Sequence, residues 1–286
     1  MLNKNLSDSS GTFSFRQVDV FSSRPLRGNP LAVVLGADCF PEQKMLAFAN
    51  WMNLSETTFL LRPVNPQADY RVRIFTPFSE LPFAGHPTLG SCHAWLASTD
   101  LSEERDIIQE CGAGLVRIRR DGDRLAFAGP PLIRTGIVEG DVLARIKRGL
   151  GLSDADIVAA HWVDNGPGWL AILLKDREAA LALKPDFAVI AGIRVGIVAP
   201  VESGETDFEV RAFSAAGFED PVTGSLNAGI AQWLITTGIA PPSYTARQGT
   251  VLGREGTVYV TRDGHDIWIG GNVVTCIEGQ VFLERL

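Results

Sequence analysis

Two short stretches place chemically capable side chains at the entrance to apolar segments. The first, ELPFAGHPTLGS (residues 80–91), seats His86, one of only four histidines, between Gly85 and Pro87. The second, FEDPVTGSLNAG (residues 218–229), seats Ser225 directly after Gly224. Pro87 fits the first position of a helix, where its missing N–H costs nothing. It also disfavours helical geometry at His86, so the spacing predicts His86 as the N-cap. Ser225 is a favoured N-cap residue in its own right. A helix N-terminus carries unpaired N–H groups and about half a positive charge, so it attracts anions. If two such ends face each other, they converge on one interdomain cleft suited to a small carboxylate. Glycine at 85 and 224 has a matching rationale, since a side chain there would block close backbone approach to a bound anion.

The elements behind these entrances are written twice. Residues 69–96 read DYRVRIFTPFSELPFAGHPTLGSCHAWL, and residues 207–234 read DFEVRAFSAAGFEDPVTGSLNAGIAQWL. Asp69, Val72, Arg73 and Phe75 pair with Asp207, Val210, Arg211 and Phe213. After a one-residue slip, Glu80, Pro82 and Gly85 pair with Glu219, Pro221 and Gly224. Each copy reads as a half-buried strand, a Pro/Gly-rich bend and a helix that is apolar or small around its circumference, hence buried on most sides. FRQVDVF, LAVVL, TTFLL, LVRIRR, GWLAILL, RVGIVA, TVYVT and DIWIGG supply further strands. The expected fold class is α+β: two pseudo-symmetric domains, each a mainly antiparallel sheet curled around a central buried helix.

With 286 residues the chain is comfortable for two domains. A net charge of −7 argues against a nucleic-acid partner. No apolar run approaches the roughly 18–20 residues of a membrane span. Cys39, Cys92, Cys111 and Cys276 show no CxxC and no metal-ligand spacing, so reduced thiols in a cytoplasmic protein and no metal are expected. CGAGLV and GLGLSD lack the third glycine of a dinucleotide fingerprint, and there is no GxxxxGK[ST], so no nucleotide is expected either. The expected division is a disordered leader at 1–12, domains at 13–130 and 131–274, and a Pro/Gly-rich join near GPPLIRTG (129–136).

VDVFSSRPLRGNPLAVV, MNLSETTFL, RIFTPFSELPFAGHPTLG, EDPVTGS, RQGTVLGREG and IWIGGNV together resemble the PhzF family of phenazine biosynthesis, within the diaminopimelate epimerase-like fold. The resemblance runs from about residue 13 to 286. It implies that the last strand, 275–286, returns to the first domain, and that the protein is a cofactor-independent isomerase and a homodimer. It implies Glu56 of NLSETTFL as the acid/base, with His86, Asp220 and Ser225 in the same catalytic pocket. Asn29, Gly85, Pro87, Thr88, Thr223 and Gly224 are the expected substrate-binding residues. The family's best-studied member moves a proton on trans-2,3-dihydro-3-hydroxyanthranilate without metal or organic cofactor. Related racemases use two opposed cysteines at the helix entrances; here those entrances read Phe83-Ala84-Gly85-His86 and Val222-Thr223-Gly224-Ser225, with no cysteine.

Taken one at a time, these residues have plainer readings. Glu56 lies between a predicted helix, PEQKMLAFANWM, and the strand TTFLL; there it either enters a cleft as a base or faces solvent. His86 and Ser225 could be caps alone, Asp220 before Pro221 an Asx-turn, and Asn29 a turn residue. Two rival functions remain beside the isomerase. One is a binding protein that holds a small carboxylate without turnover. The other, the weakest, is a hydrolase using Ser225, His86 and Asp220, which lacks a GxSxG elbow.

Overall fold

The computed structural model describes residues 11–101 and 105–283. One compact unit comprises residues 11–128 with 270–283. Its elements are β1 (Thr12–Val20), β2 (Asn29–Leu35), α1 (Glu42–Met52), β3 (Thr57–Leu61), β4 (Tyr70–Phe75), β5 (Glu80–Leu81), α2 (Gly85–Leu96), β6 (Ile107–Cys111), β7 (Gly114–Asp121) and β8 (Arg124–Ala128). The other unit is Gly129–Ile269. It holds β9 (Arg134–Ile137), α3 (Gly140–Leu150), β10 (Ile157–Asp164), β11 (Trp169–Leu174), α4 (Arg177–Ala182), β12 (Arg194–Pro200), β13 (Phe208–Phe213) and β14 (Glu219–Asp220). These are followed by α5 (Gly224–Thr236), β15 (Ser243–Gln248), a 3₁₀ turn (Thr250–Leu252), β16 (Gly256–Asp263) and the start of β17 (Asp266–Phe282). The fold is a mixed α/β arrangement of many strands and five helices among the described residues. None of these helices is long and apolar enough to cross a membrane.

The two units repeat one pairing scheme. In the first, β1 and β2 are antiparallel, and β2 runs parallel to β3 across α1. β3 is antiparallel to β4, β4 to β5, and β4 runs parallel to β6 across α2. In the second, β10 and β11 are antiparallel, and β11 is parallel to β12 across α4. β12 is antiparallel to β13, β13 to β14, and β13 runs parallel to β15 across α5. Antiparallel strands need only a tight turn, whereas each parallel pair needs a crossover, and in both units a helix supplies it.

The matched residues of the written repeat have matched jobs. Asp69 donates its N–H to Ile108 and accepts the Ile108 N–H on Oδ2 at 2.8 Å. Asp207 does the same with Thr245, its carboxylate accepting at 2.7 Å. Each aspartate thereby starts its parallel pairing. Glu80 sits opposite Phe75, and Glu219 opposite Phe213. Arg73 grips Glu80 with two hydrogen bonds, as Arg211 grips Glu219.

Each unit has helices on both faces of its strands. Odd-numbered Phe13 and Phe15 of β1 join Phe40, Phe48, Phe59 and Phe75 in a cluster that packs under α1. Even-numbered Val18 and Val20 face α2 instead, as the two-residue period of a strand requires. In the second unit Leu170, Ile172 and Leu174 of β11 pack with Ile146 and Leu150 of α3 and Ala180 of α4. α2 packs on β1, β2, β3, β4, β6 and β8, and α5 on β10, β11 and β16. Both helices come very close to their strands at a glycine. A Cβ on Gly90 would lie 2.5 Å from Leu31 Cδ2, and one on Gly229 only 2.2 Å from the Val163 carbonyl oxygen.

The structure corrects the expected helix starts. α2 begins at Gly85, with Ala84 as N-cap, and α5 begins at Gly224, with Thr223 as N-cap. The Ala84 carbonyl accepts the first helical bond from Thr88, and the Thr223 carbonyl from Asn227. His86 and Ser225 are thus second helical residues and not caps, and Pro87 is the third. A proline anywhere in the first turn leaves the helix intact, because none of the first four N–H groups has an intrahelical acceptor. The expected leader at 1–12 lies outside the described residues up to residue 10. Thr12 already opens β1, opposite Phe282. Residues of β17 from Val273 onward run antiparallel to β1.

Candidate active site

Each unit gathers its own group of site residues. In the first, α1 ends in a left-handed Asn53 (φ 53°), and the chain turns through Leu54 and Ser55 into β3. Glu56 is the last residue before that strand and is 17% exposed at its side chain. Its Oε2 lies 3.4 Å from Nδ1 of His86, which is 5% exposed in the first turn of α2. Burial holds the His86 imidazole down at about 3, against a smaller upward pull from the Pro30 backbone to which it bonds. The ring is therefore neutral across the physiological range. A carbonyl can only accept, so Nδ1 carries the proton donated to Pro30, and Nε2 is a bare acceptor. Nε2 is buried with no hydrogen-bond partner among the described residues.

Asn29 and Pro30 reach this group through a loop whose logic the sequence analysis did not find. The carboxylate of Asp19, 2% exposed, accepts the N–H groups of Arg27 (2.7 Å) and Gly28 (2.8 Å). A Cβ on Gly28 would stand 2.1 Å from the Val20 carbonyl oxygen, so only glycine lets the loop lie against β1. Asn29 is then fully buried at the head of β2. Gly85, Pro87 and Thr88 are buried in the first turn of α2. The Thr88 hydroxyl donates to the Ala84 carbonyl and accepts from Gln109, which in turn accepts from Tyr70.

In the second unit, Asp220 ends β14 and accepts the Thr223 hydroxyl on Oδ2. Gly224 and Ser225 follow at the head of α5. The Ser225 hydroxyl accepts the Trp169 indole N–H at 3.1 Å, and its carbonyl accepts from Asn165. Within its unit this serine meets an indole, where a hydrolase would need an imidazole. Gln248, fully buried at the end of β15, bonds to Thr223, Asp220 and Asn227. Sequence reasoning missed Asp19, Trp169 and Gln248. The one signal for Gln248 was its place in RQGTVLGREG.

The helix entrances carry no thiol. Cys92 lies inside α2, and burial pushes it up to about 12, so it is not a reactive thiolate. All four cysteines are unpaired.

Comparison with known proteins shows the family. The family model described as "Phenazine biosynthesis-like protein" (PhzC-PhzF) matches residues 18–279. The chain is 35% identical to antisense-enhancing sequence 1 of Schizosaccharomyces pombe, over 94% of this chain and 99% of the relative. It is 32% identical to the trans-2,3-dihydro-3-hydroxyanthranilate isomerase of Pseudomonas fluorescens, over 93% of this chain and 98% of that one. A crystal structure of a PhzF-family phenazine biosynthesis protein from Enterococcus faecalis superposes with a TM-score of 0.80 at 25% identity, covering 95% of this chain and 100% of that chain.

Proposed function

The chain belongs to the PhzF family of phenazine biosynthesis-like proteins and is an isomerase of it; from that premise we propose that Glu56 shuttles a proton on a small carboxylate substrate. The observation that carries this reading is the Glu56 carboxylate held 3.4 Å from a neutral, buried imidazole at the head of a buried helix. In this reading Glu56 takes a proton from carbon and returns it, as general base and then general acid. His86 offers Nε2 to a hydroxyl or amino group of the substrate and, anchored on the Pro30 backbone, keeps its ring beside the Glu56 carboxylate. Being neutral, it orients and accepts; it does not supply positive charge. The first-turn N–H groups of α2 and α5 supply the partial positive charge for the substrate carboxylate and for charge developing at carbon.

We further place Asn29, Gly85, Pro87 and Thr88 of the first unit, and Asp220, Thr223, Gly224 and Ser225 of the second, among the residues that contact substrate. The written repeat and the family motifs support that placement, as they support a diaminopimelate epimerase-like, pseudo-symmetric fold. The substrate class is cyclic or amino-acid-like carboxylates, by analogy with the Pseudomonas fluorescens relative. A cytoplasmic homodimer working without metal or organic cofactor completes the proposal.

The test is C–H exchange in D₂O, followed by NMR across a panel of small carboxylates that includes dihydro-hydroxyanthranilate. Glu56→Gln keeps the shape and removes the base, and it is expected to slow exchange at least about 100-fold. Exchange that survives in Glu56→Gln removes Glu56 from its role. Ligand binding without exchange across the panel replaces the isomerase with a binding protein.

A further inference from the structure

Gln248 has all four hydrogen-bonding positions of its side-chain amide occupied. Its Oε1 accepts from the Thr223 N–H (3.1 Å) and from Asn227 Nδ2 (2.8 Å). Its Nε2 donates to the Asp220 carbonyl (3.1 Å) and to the Thr223 hydroxyl oxygen (3.1 Å). These contacts fix the orientation of the amide, because Asn227 Nδ2 and a backbone N–H can only donate to oxygen. The Thr223 hydroxyl, already accepting from Gln248, turns its own proton to Asp220 Oδ2, 2.5 Å away. The direction is therefore forced along the whole chain, from the Gln248 amide through the Thr223 hydroxyl to the Asp220 carboxylate.

The first unit shows what this adds. There Tyr70 donates to Gln109, Gln109 to Thr88, and Thr88 to the Ala84 carbonyl. The same residue types make a one-way chain, but it ends on the backbone and no carboxylate is addressed. In the second unit the threonine stands at the N-cap itself, yet its side chain makes no capping bond to the helix. Its hydroxyl is committed to Asp220. Gly249 (φ 91°), whose Cβ would meet the Pro221 carbonyl oxygen at 2.7 Å, brings the end of β15 against the turn that carries Asp220.

We propose that Thr223 and Gln248 are positioning residues that hold the Asp220 carboxylate as an oriented hydrogen-bond acceptor, ready to receive a donor group of the substrate. This inference rests on the proposed isomerase reading for the word substrate, but the hydrogen-bond chain stands on its own geometry. Charged groups on the elements around Asp220 include Arg211, Arg247 and Arg254. Arg211 of β13 is closed by Glu219, and Arg247 of β15 lies 3.6 Å from Glu205. The first turn of α5 carries no acidic residue. Arg254 flanks Gly249 through its Cβ and Cγ.

Two variants test the chain. Thr223→Val removes the hydroxyl at nearly constant volume and loses no side-chain cap; Thr223→Ser restores the hydroxyl. The direct measurement is the pH titration of the Asp220 side-chain carboxyl carbon by NMR, with circular dichroism to verify folding. A lost hydrogen bond to the ionised form moves the titration midpoint upward by about one pH unit in Thr223→Val. Thr223→Ser is expected to titrate at the native midpoint. An unchanged midpoint in folded Thr223→Val overturns the proposal, as does an equal shift in Thr223→Ser. The acid limb of substrate C–H exchange is followed in the same variants. A shifted carboxyl titration with an unmoved exchange limb supports the chain and removes Asp220 from the reaction. Loss of exchange in Glu56→Gln bears only on the proposed isomerase reading.

Discussion

His86 is an imidazole that the fold refuses to charge. It is 5% exposed, bonded to the Pro30 backbone, and held at about 3 by burial. An unfolded chain lets the same ring protonate near its ordinary value of 6.5. Between those values the unfolded state binds a proton that the native state excludes. Stability from this group is therefore complete above about pH 6.5 and is lost as pH falls toward 3, with a limiting slope of about 1.4 kcal/mol per pH unit. Replacing His86 with Asn should flatten that part of the stability profile, as measured by urea denaturation from pH 4 to 7. A slope identical to the native one would show that His86 titrates normally. The same neutrality predicts that exchange activity shows no inflection near 6.5 from this ring.

At the scale of the element, one motif serves two environments. The pair Arg73–Glu80 links β4 to β5 with side-chain exposures of 19% and 35%, and Arg73 also reaches Glu42. The pair Arg211–Glu219 links β13 to β14 with exposures of 2% and 8%. Removing one partner of a buried pair strands the other charge, whereas a half-exposed pair is relieved by water and salt. Glu219→Ala is expected to cost about 3–5 kcal/mol. The Ala180 and Leu183 carbonyls that Arg211 also contacts lower that cost without supplying the missing charge. Glu80→Ala is expected to cost about 1 kcal/mol or less. Equal losses for the two variants in chemical denaturation would refute the burial argument. The helix starts belong to this scale too. Proline statistics place a helix start at Pro87, but the Thr88 N–H to Ala84 carbonyl bond starts it earlier, since the first turn tolerates proline throughout.

For the whole molecule, the first unit is discontinuous in sequence. Residues 11–128 are completed by residues from Gly270, whose strand runs beside β1 from Thr12 opposite Phe282 to Val20 opposite Val273. Gly271 seats Phe21, since a Cβ there would lie 2.4 Å from the Phe21 ring. A chain truncated after Ile269 would leave that edge of β1 without its partner strand and expose an apolar sheet margin. Such a chain is expected to aggregate, or to show a separate, lower transition for the first unit in calorimetry. A truncated chain that melts as one native-like transition would mean that β17 contributes little to the first unit.

The sequence alone was sufficient for the repeat, the two buried helices, many of the strands and the family. Those features are periodic or local: alternation in β4 and β13, all-round apolarity in α2 and α5, and paired Asp, Arg, Pro and Gly at shared spacing. It also named Glu56, His86, Asp220 and Ser225 as site candidates, largely through the motifs around them. Only the tertiary structure decided what those side chains touch. Thr223 and Gln248 lie 25 positions apart, and they meet because β13 and β15 run parallel across α5. Asp19 closes its loop onto Arg27 and Gly28, and Trp169 reaches Ser225 from 56 positions away. Hydrogen-bond direction, imidazole neutrality and the contrast between buried and half-exposed ion pairs depend on distance and on access of water. Neither is a property of spacing along the chain.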